Sequence, residues 1–164
     1  VLTPSPIWLP DNAIELFVKL GIEHNPKLRI TVQEHWMPSD EYNPVYPLDT
    51  KKKVDHNVTD IAKLRDATMR YAKDIKDYVL GINQRLGKQS VFIVPVGMAA
   101  VTLRDKIIKG EAPGLKTQAE LFRDYWGHAL APLQILSSYC HFAFIYRRSP
   151  VGLPAPNASK LSKT

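Results

Sequence analysis

The feature that most limits what this chain can fold into is a junction: a long amphipathic stretch ends at Gly87, and a short, almost wholly apolar run over residues 90–96 follows. Between Asn57 or Thr59 and about Leu86, the residues Ile61, Leu64, Thr68, Ala72, Ile75, Val79, Ile82 and Leu86 recur every three or four positions, with Lys, Arg and Asp on the other face. That spacing predicts one long helix with a buried stripe, stopped by Gly87. The run that follows has no polar face to offer solvent. It predicts a strand covered on both sides, as in a parallel sheet sandwiched by helices.

The flanking segments extend the pattern. Residues 28–35 alternate apolar and polar with β-branched side chains, which predicts a strand ended by Trp36, Met37 and Pro38. Ahead of it, Asp11 or Asn12 can cap a helix from about Ala13 to His24 with Ile14, Phe17, Val18 and residues 20–22 as its buried stripe. Val1, Leu2 and Thr3 read as the end of a strand already under way, followed by a proline-rich turn carrying Trp8. Beyond the apolar strand come a helix from Met98 to about Lys109, a turn over 110–114, and a short helix over 117–123 in which Thr117 and Glu120 have the spacing of a capping box. The last helix, residues 129–146, is apolar enough to be expected well buried. Residues 37–56 form a long loop, and residues 155–164 a polar, disordered tail.

This order predicts an α/β fold: one three-layer α/β/α domain over residues 1–154, with a mainly parallel sheet of flavodoxin-like type whose first strand or strands are missing from the chain. Ligands bind such sheets beyond the carboxyl ends of the strands. The residues gathered there are Trp8, Gln33, His35 and Trp36. They are substrate-binding candidates, His35 as a hydrogen-bonding group and Trp8 or Trp36 as a platform for a sugar or aromatic ring. The same residues also suit a tryptophan closing the edge of the core beside a satisfied histidine.

Residues 121–132 carry the sharpest chemical signal. A helical run breaks at Asp124, turns through Trp126 and Gly127, and restarts after His128. A carboxylate held against one imidazole nitrogen leaves the other free to move a proton, which is the base half of a Ser-His-Asp system. Asp124 and His128 are therefore the catalytic candidates, although a helix cap and a turn histidine would use the same residues.

Composition removes several alternatives. The single cysteine, Cys140, rules out an intrachain disulfide and a zinc finger. His35, His56, His128 and His141 contain no His-x-His or His-x-x-x-His pair, so no metal or other cofactor is expected. The net charge of +6 is spread along the chain apart from residues 51–53 and the tail, which argues against nucleic acid as a partner. No apolar run reaches the roughly 18 residues a membrane span requires.

With its Asp-to-His turn, one long apolar helix after it, and the ending Tyr146-Arg-Arg-Ser-Pro-Val-Gly-Leu-Pro154, the chain resembles the SGNH, or GDSL-like, hydrolase superfamily. The resemblance implies a serine-type esterase, with His128 as general base and Asp124 as its orienting acid. It implies an ester substrate, of a carbohydrate or another small molecule, and a secreted or periplasmic location. It also implies a nucleophilic serine near the amino terminus of the domain. The chain departs from the family pattern in its Asp-x-x-x-His spacing, one residue longer than usual, in having no Gly-Asp-Ser, and in having 3–10 where a Gly-x-Asn-Asp stretch is expected. Ser5 is the one strand-end serine, and its flanking prolines fit a turn better than a nucleophile elbow. The missing strand and serine are expected upstream of Val1 or on a companion polypeptide. The contrasting expectation is a binding or assembly protein that keeps the scaffold without the chemistry.

Overall fold

The structure is a computed structural model that describes residues 13–40 and 53–153. The proline-rich turn with Ser5 and Trp8, most of the long loop and the polar tail lie outside the described residues.

The fold is mixed α/β, built on a β-α-β unit. Strand β1 (Ile30–Gln33) leads through helix α2 (Ile61–Arg85) to strand β2 (Val91–Val94), and the two strands pair in parallel with Ile30 opposite Val91 and Gln33 opposite Val94. Helix α1 (Ala13–His24) precedes the unit, and α3 (Val96–Ile108) and α4 (Ala131–Tyr146) follow it.

Each boundary of α2 has a local cause. Asp60 caps its start, accepting from the amides of Ala62 and Lys63 at 2.8 and 3.1 Å, so the helix begins after Asn57 and Thr59. At its end Gly87 takes a φ of 65°. The Gly87 and Lys88 amides donate to the carbonyls of Gln84 and Asn83, satisfying the last turn as a Schellman motif does. Asn83 then starts the next strand: its side-chain oxygen accepts from the amides of Ser90 and Val91, and its amide donates to the Val91 carbonyl, all at 2.9 Å.

Two apolar clusters hold these elements together. Val18 of α1, Val32 of β1, Tyr71, Ile75, Val79 and Ile82 of α2, and Val91 of β2 form the first. Ala100 and Ile107 of α3, then Ala112, Leu121 and Phe122 from the chain between α3 and α4, and Leu133 of α4 form the second. Fully burying a side chain such as Ile75 or Leu133 contributes about 1.5–3 kcal/mol, so these clusters dominate the stability.

Three expectations change. The stripe of α1 is Ile14, Val18 and Ile22 at four-residue spacing, while Phe17 and Leu20 face outward at 63% and 51% exposure. β1 is shorter than residues 28–35: the Glu34 amide still reaches the Val94 carbonyl at 2.9 Å, but Pro95 then offers no N–H to continue the ladder. α4 is not well buried. Of its residues only Leu133 is fully enclosed, and Ile145 and Tyr146 are 56% and 64% exposed. The described sheet is two strands wide, too narrow to cover the whole apolar surface of a 16-residue helix.

An ion pair ties α1 to α2. The Arg85 guanidinium and, next to it, the Lys19 ammonium approach the Glu15 carboxylate at 2.6 and 3.0 Å and hold its pKa at about 2 against an ordinary 4.5. The folded-state pKa is depressed, so this stabilisation is present above pH 4.5 and is lost as the pH falls toward 2. Glu15→Gln is therefore expected to lower the melting temperature at neutral pH, with the gap to the wild type closing between pH 4.5 and 2; thermal unfolding across that range measures it.

Candidate functional site

The turn bearing Asp124 and His128 is the end of a short hairpin. Phe122 and Ala129 form an antiparallel bridge, the Arg123 amide donates to the His128 carbonyl at 2.7 Å, and the Leu130 amide to the Leu121 carbonyl at 2.9 Å. Before it, Thr117 and Glu120 do form a capping box, but on a 3₁₀ turn (Gln118–Leu121) rather than an α-helix. Ala129 and Leu130 stay extended because the bridge holds them, and α4 starts only afterwards, with Pro132 in its first turn.

Asp124 organises the hairpin tip. One carboxylate oxygen accepts from the backbone amides of Trp126 and His128 at 3.1 and 3.2 Å, an arrangement that favours aspartate at such a turn. The other oxygen lies 2.6 Å from His128 Nδ1. With the Nδ1 proton committed to the carboxylate, the ring presents Nε2 as its basic nitrogen. Burial acts to raise the Asp124 pKa, but the hydrogen bonds from the His128 side chain and amide, its charge, and the Trp126 amide more than offset this and leave the carboxyl below its ordinary value. The His128 side chain is 62% exposed, open to a reacting group.

The hairpin tip is fastened to the chain leaving β1, and so reaches the carboxyl edge of the strands. The Trp36 indole N–H donates to the Gly127 carbonyl at 2.9 Å. Gly127 takes a φ of 85°, and a Cβ there would come within 2.6 Å of Pro38 Cβ, so both conformation and contact require glycine.

The four substrate-binding candidates from the sequence divide. Trp8 lies outside the described residues. Gln33 is buried and points its side-chain oxygen at α4, within 3.1 Å of Ser137 Oγ and 2.9 Å of His141 Nε2. Trp36 anchors the hairpin. His35 stacks on Trp36 with ring centroids 4.6 Å apart; burial, then the charge of His128, holds its pKa at about 4, and its Nδ1 has no hydrogen-bond partner among the described residues. His35 is therefore a neutral imidazole at neutral pH, close enough to His128 to feel its charge.

Other residues at the site escaped the sequence reading. Tyr125 and Trp126 stand on the hairpin tip, 37% and 41% exposed with ring centroids 5.1 Å apart, and offer the aromatic surface expected of Trp36. Glu34, just after β1, is buried; its carboxylate accepts from the Met98 amide at 2.7 Å and so caps α3, whose own N-cap is Pro95. Burial pushes the Glu34 carboxyl up, and the Met98 hydrogen bond opposes that. Arg104 on α3 is 1% exposed and reaches the carbonyls of Met37, Pro38 and His56. Its place on the buried stripe with Ala100, Val101 and Ile107 was the available signal.

Among the described residues no group of three or more His, Cys, Asp or Glu is placed to hold a metal ion, and no helix is long and apolar enough to cross a membrane. Cys140 is a free, half-buried thiol whose pKa burial raises. Comparison with known protein families, with curated proteins and with solved structures yields no match.

Proposed function

We propose that the chain is part of a serine-type ester hydrolase with a three-layer, SGNH-like fold, acting on an acyl ester of a carbohydrate or another small alcohol in a secreted or periplasmic setting. The observation that carries the reading is the 2.6 Å contact between Asp124 and His128 Nδ1 on an exposed hairpin tip tied to the end of β1. In this reading His128 Nε2 takes the proton of a serine hydroxyl as its oxygen attacks the ester carbonyl, then returns that proton to the departing alcohol. A water deprotonated by the same nitrogen releases the acid. Asp124 keeps the ring in the tautomer these transfers need. Tyr125 and Trp126 suit the apolar face of a sugar ring beside the reacting group.

The proposal places the nucleophile outside these residues, upstream or on a companion polypeptide, since no Gly-Asp-Ser occurs in the sequence. A fluorophosphonate probe, which forms a covalent bond with an activated serine, tests it. Labelling of the full natural protein, blocked by prior heat denaturation, is the expected result. No labelling of a folded protein that does carry an upstream serine favours the second reading, a binding protein without chemistry. The exposed Tyr125 and Trp126 pair and the lengthened Asp-x-x-x-His spacing are the observations in its favour.

A further inference from the structure

His56 opens a 3₁₀ turn (His56–Val58) and is only 5% exposed, yet it is polar. Its ring packs on Phe122 with centroids 4.1 Å apart. Nε2 lies 2.8 Å from the Asp124 carbonyl and Nδ1 lies 3.0 Å from the Pro38 carbonyl. Ring nitrogens meet carbonyl oxygens only as donors; a neutral imidazole has one N–H and serves one of the two, whereas the imidazolium serves both. The shorter contact assigns a proton to Nε2, facing Asp124. The His56 carbonyl in turn accepts from Arg104 Nη2 at 3.1 Å, which fixes the ring's own backbone. The ring, seated beside the chain leaving β1, therefore donates to the residue whose carboxylate meets His128. The same Asp124 carbonyl accepts the Gly127 amide at 3.1 Å, so the ring and the turn converge on one atom.

We infer that His56 is a positioning residue of the proposed hydrolytic site. Its Nε2–H holds the Asp124 carbonyl, so that the Asp124 carboxylate and His128 Nδ1 meet in a single geometry. Its kinetic consequence rests on the ester-hydrolase reading; its structural consequence does not.

The test compares the full natural protein with His56→Phe, which keeps the ring's bulk without a donor, His56→Gln, which keeps one donor, and Asn83→Ala, which loosens the start of β2 away from the site. A short carboxylate-imidazole hydrogen bond gives a low-field proton resonance, here that of His128 Nδ1–H, assigned by its loss in His128→Gln. The expected result is that His56→Phe broadens or abolishes this resonance and lowers kcat roughly 10- to 100-fold with little change in KM, as a small misplacement of a catalytic group does. His56→Gln recovers part of both, and Asn83→Ala lowers the melting temperature while leaving both unchanged. An unaltered resonance in folded His56→Phe, or an equal loss in Asn83→Ala, overturns the inference. Should His56→Phe not fold, a long-range nitrogen-proton spectrum of the wild type decides: a proton on His56 Nε2 supports its hold on the Asp124 carbonyl, and a bare Nε2 overturns it. If the wild type hydrolyses no ester but His56→Phe still loses the His128 resonance, the hydrolase reading fails and the positioning role stands.

Discussion

His128→Ala in the full natural protein is expected to remove ester hydrolysis almost entirely, lowering kcat by on the order of 10⁴- to 10⁶-fold, because a triad works as a unit and little survives the loss of its base. The informative companion is Asp124→Asn. Its side-chain oxygen can still accept from the Trp126 and His128 amides, so the hairpin tip keeps its shape. The other carboxylate oxygen becomes an amide that donates, and it faces His128 Nδ1, 2.6 Å away in the wild type. The imidazole then places its lone pair on Nδ1 and its proton on Nε2, the wrong tautomer for accepting a serine proton, and a loss of roughly 10⁴-fold in kcat follows. KM should move little in either variant, since neither residue is assigned to ground-state binding. Full turnover by His128→Ala would end the hydrolase reading. A protein that only binds its ligand retains that binding in both variants and loses it on removal of Trp126.

The parts of this fold legible in the sequence are those governed by periodicity. The stripe of α2, its stop at Gly87 and the doubly apolar β2 follow from spacing alone, because a helix or strand of that length must bury one consistent set of side chains. Phe17 and Leu20 show where the rule weakens. In α1 eight of twelve residues are apolar or glycine and they lie on more than one face, so the pattern does not say which face turns inward, and Val18 holds the core position. The length of α4 was legible and its burial was not, because burial depends on what the neighbouring elements cover. The Asp124 and His128 pairing was legible as a turn motif. The contacts that hold this turn were not: the Trp36 to Gly127 and His56 to Asp124 hydrogen bonds span 91 and 68 residues, and no local pattern encodes a side chain meeting a distant carbonyl.

Arg104 carries the other large expected effect, this time on stability. Its guanidinium donates to Gln118 Oε1 at 2.6 Å and to the carbonyls of Met37, Pro38 and His56 at 3.1 to 3.3 Å, and it lies over the Phe122 ring at 5.3 Å. Burial lowers its pKa to about 10, with Asp40 opposing, so the side chain is a cation at neutral pH. The acceptors come from the chain leaving β1, from the start of the His56 turn and from the 3₁₀ turn before the hairpin. Arg104 is thus the one side chain on α3 that fastens every loop around Asp124 at once. Arg104→Met keeps the stem and its packing but strands those acceptors in a buried space, at a cost of about 3–5 kcal/mol. A domain of this size converts that into a melting temperature about 10 °C lower. Arg104→Lys retains the charge without the planar fork and should fall between the two. The loss should be uneven as well as large. Hydrogen exchange is expected to rise first in the hairpin amides of Arg123 and Leu130, while the α2 amides facing Ile75 and Ile82 keep their protection, because the Arg104 hydrogen bonds go to the loops and not to α2. A uniform rise across both clusters, or a melting temperature within a degree or two of the wild type, would show that the loops are held by packing and that the guanidinium is dispensable.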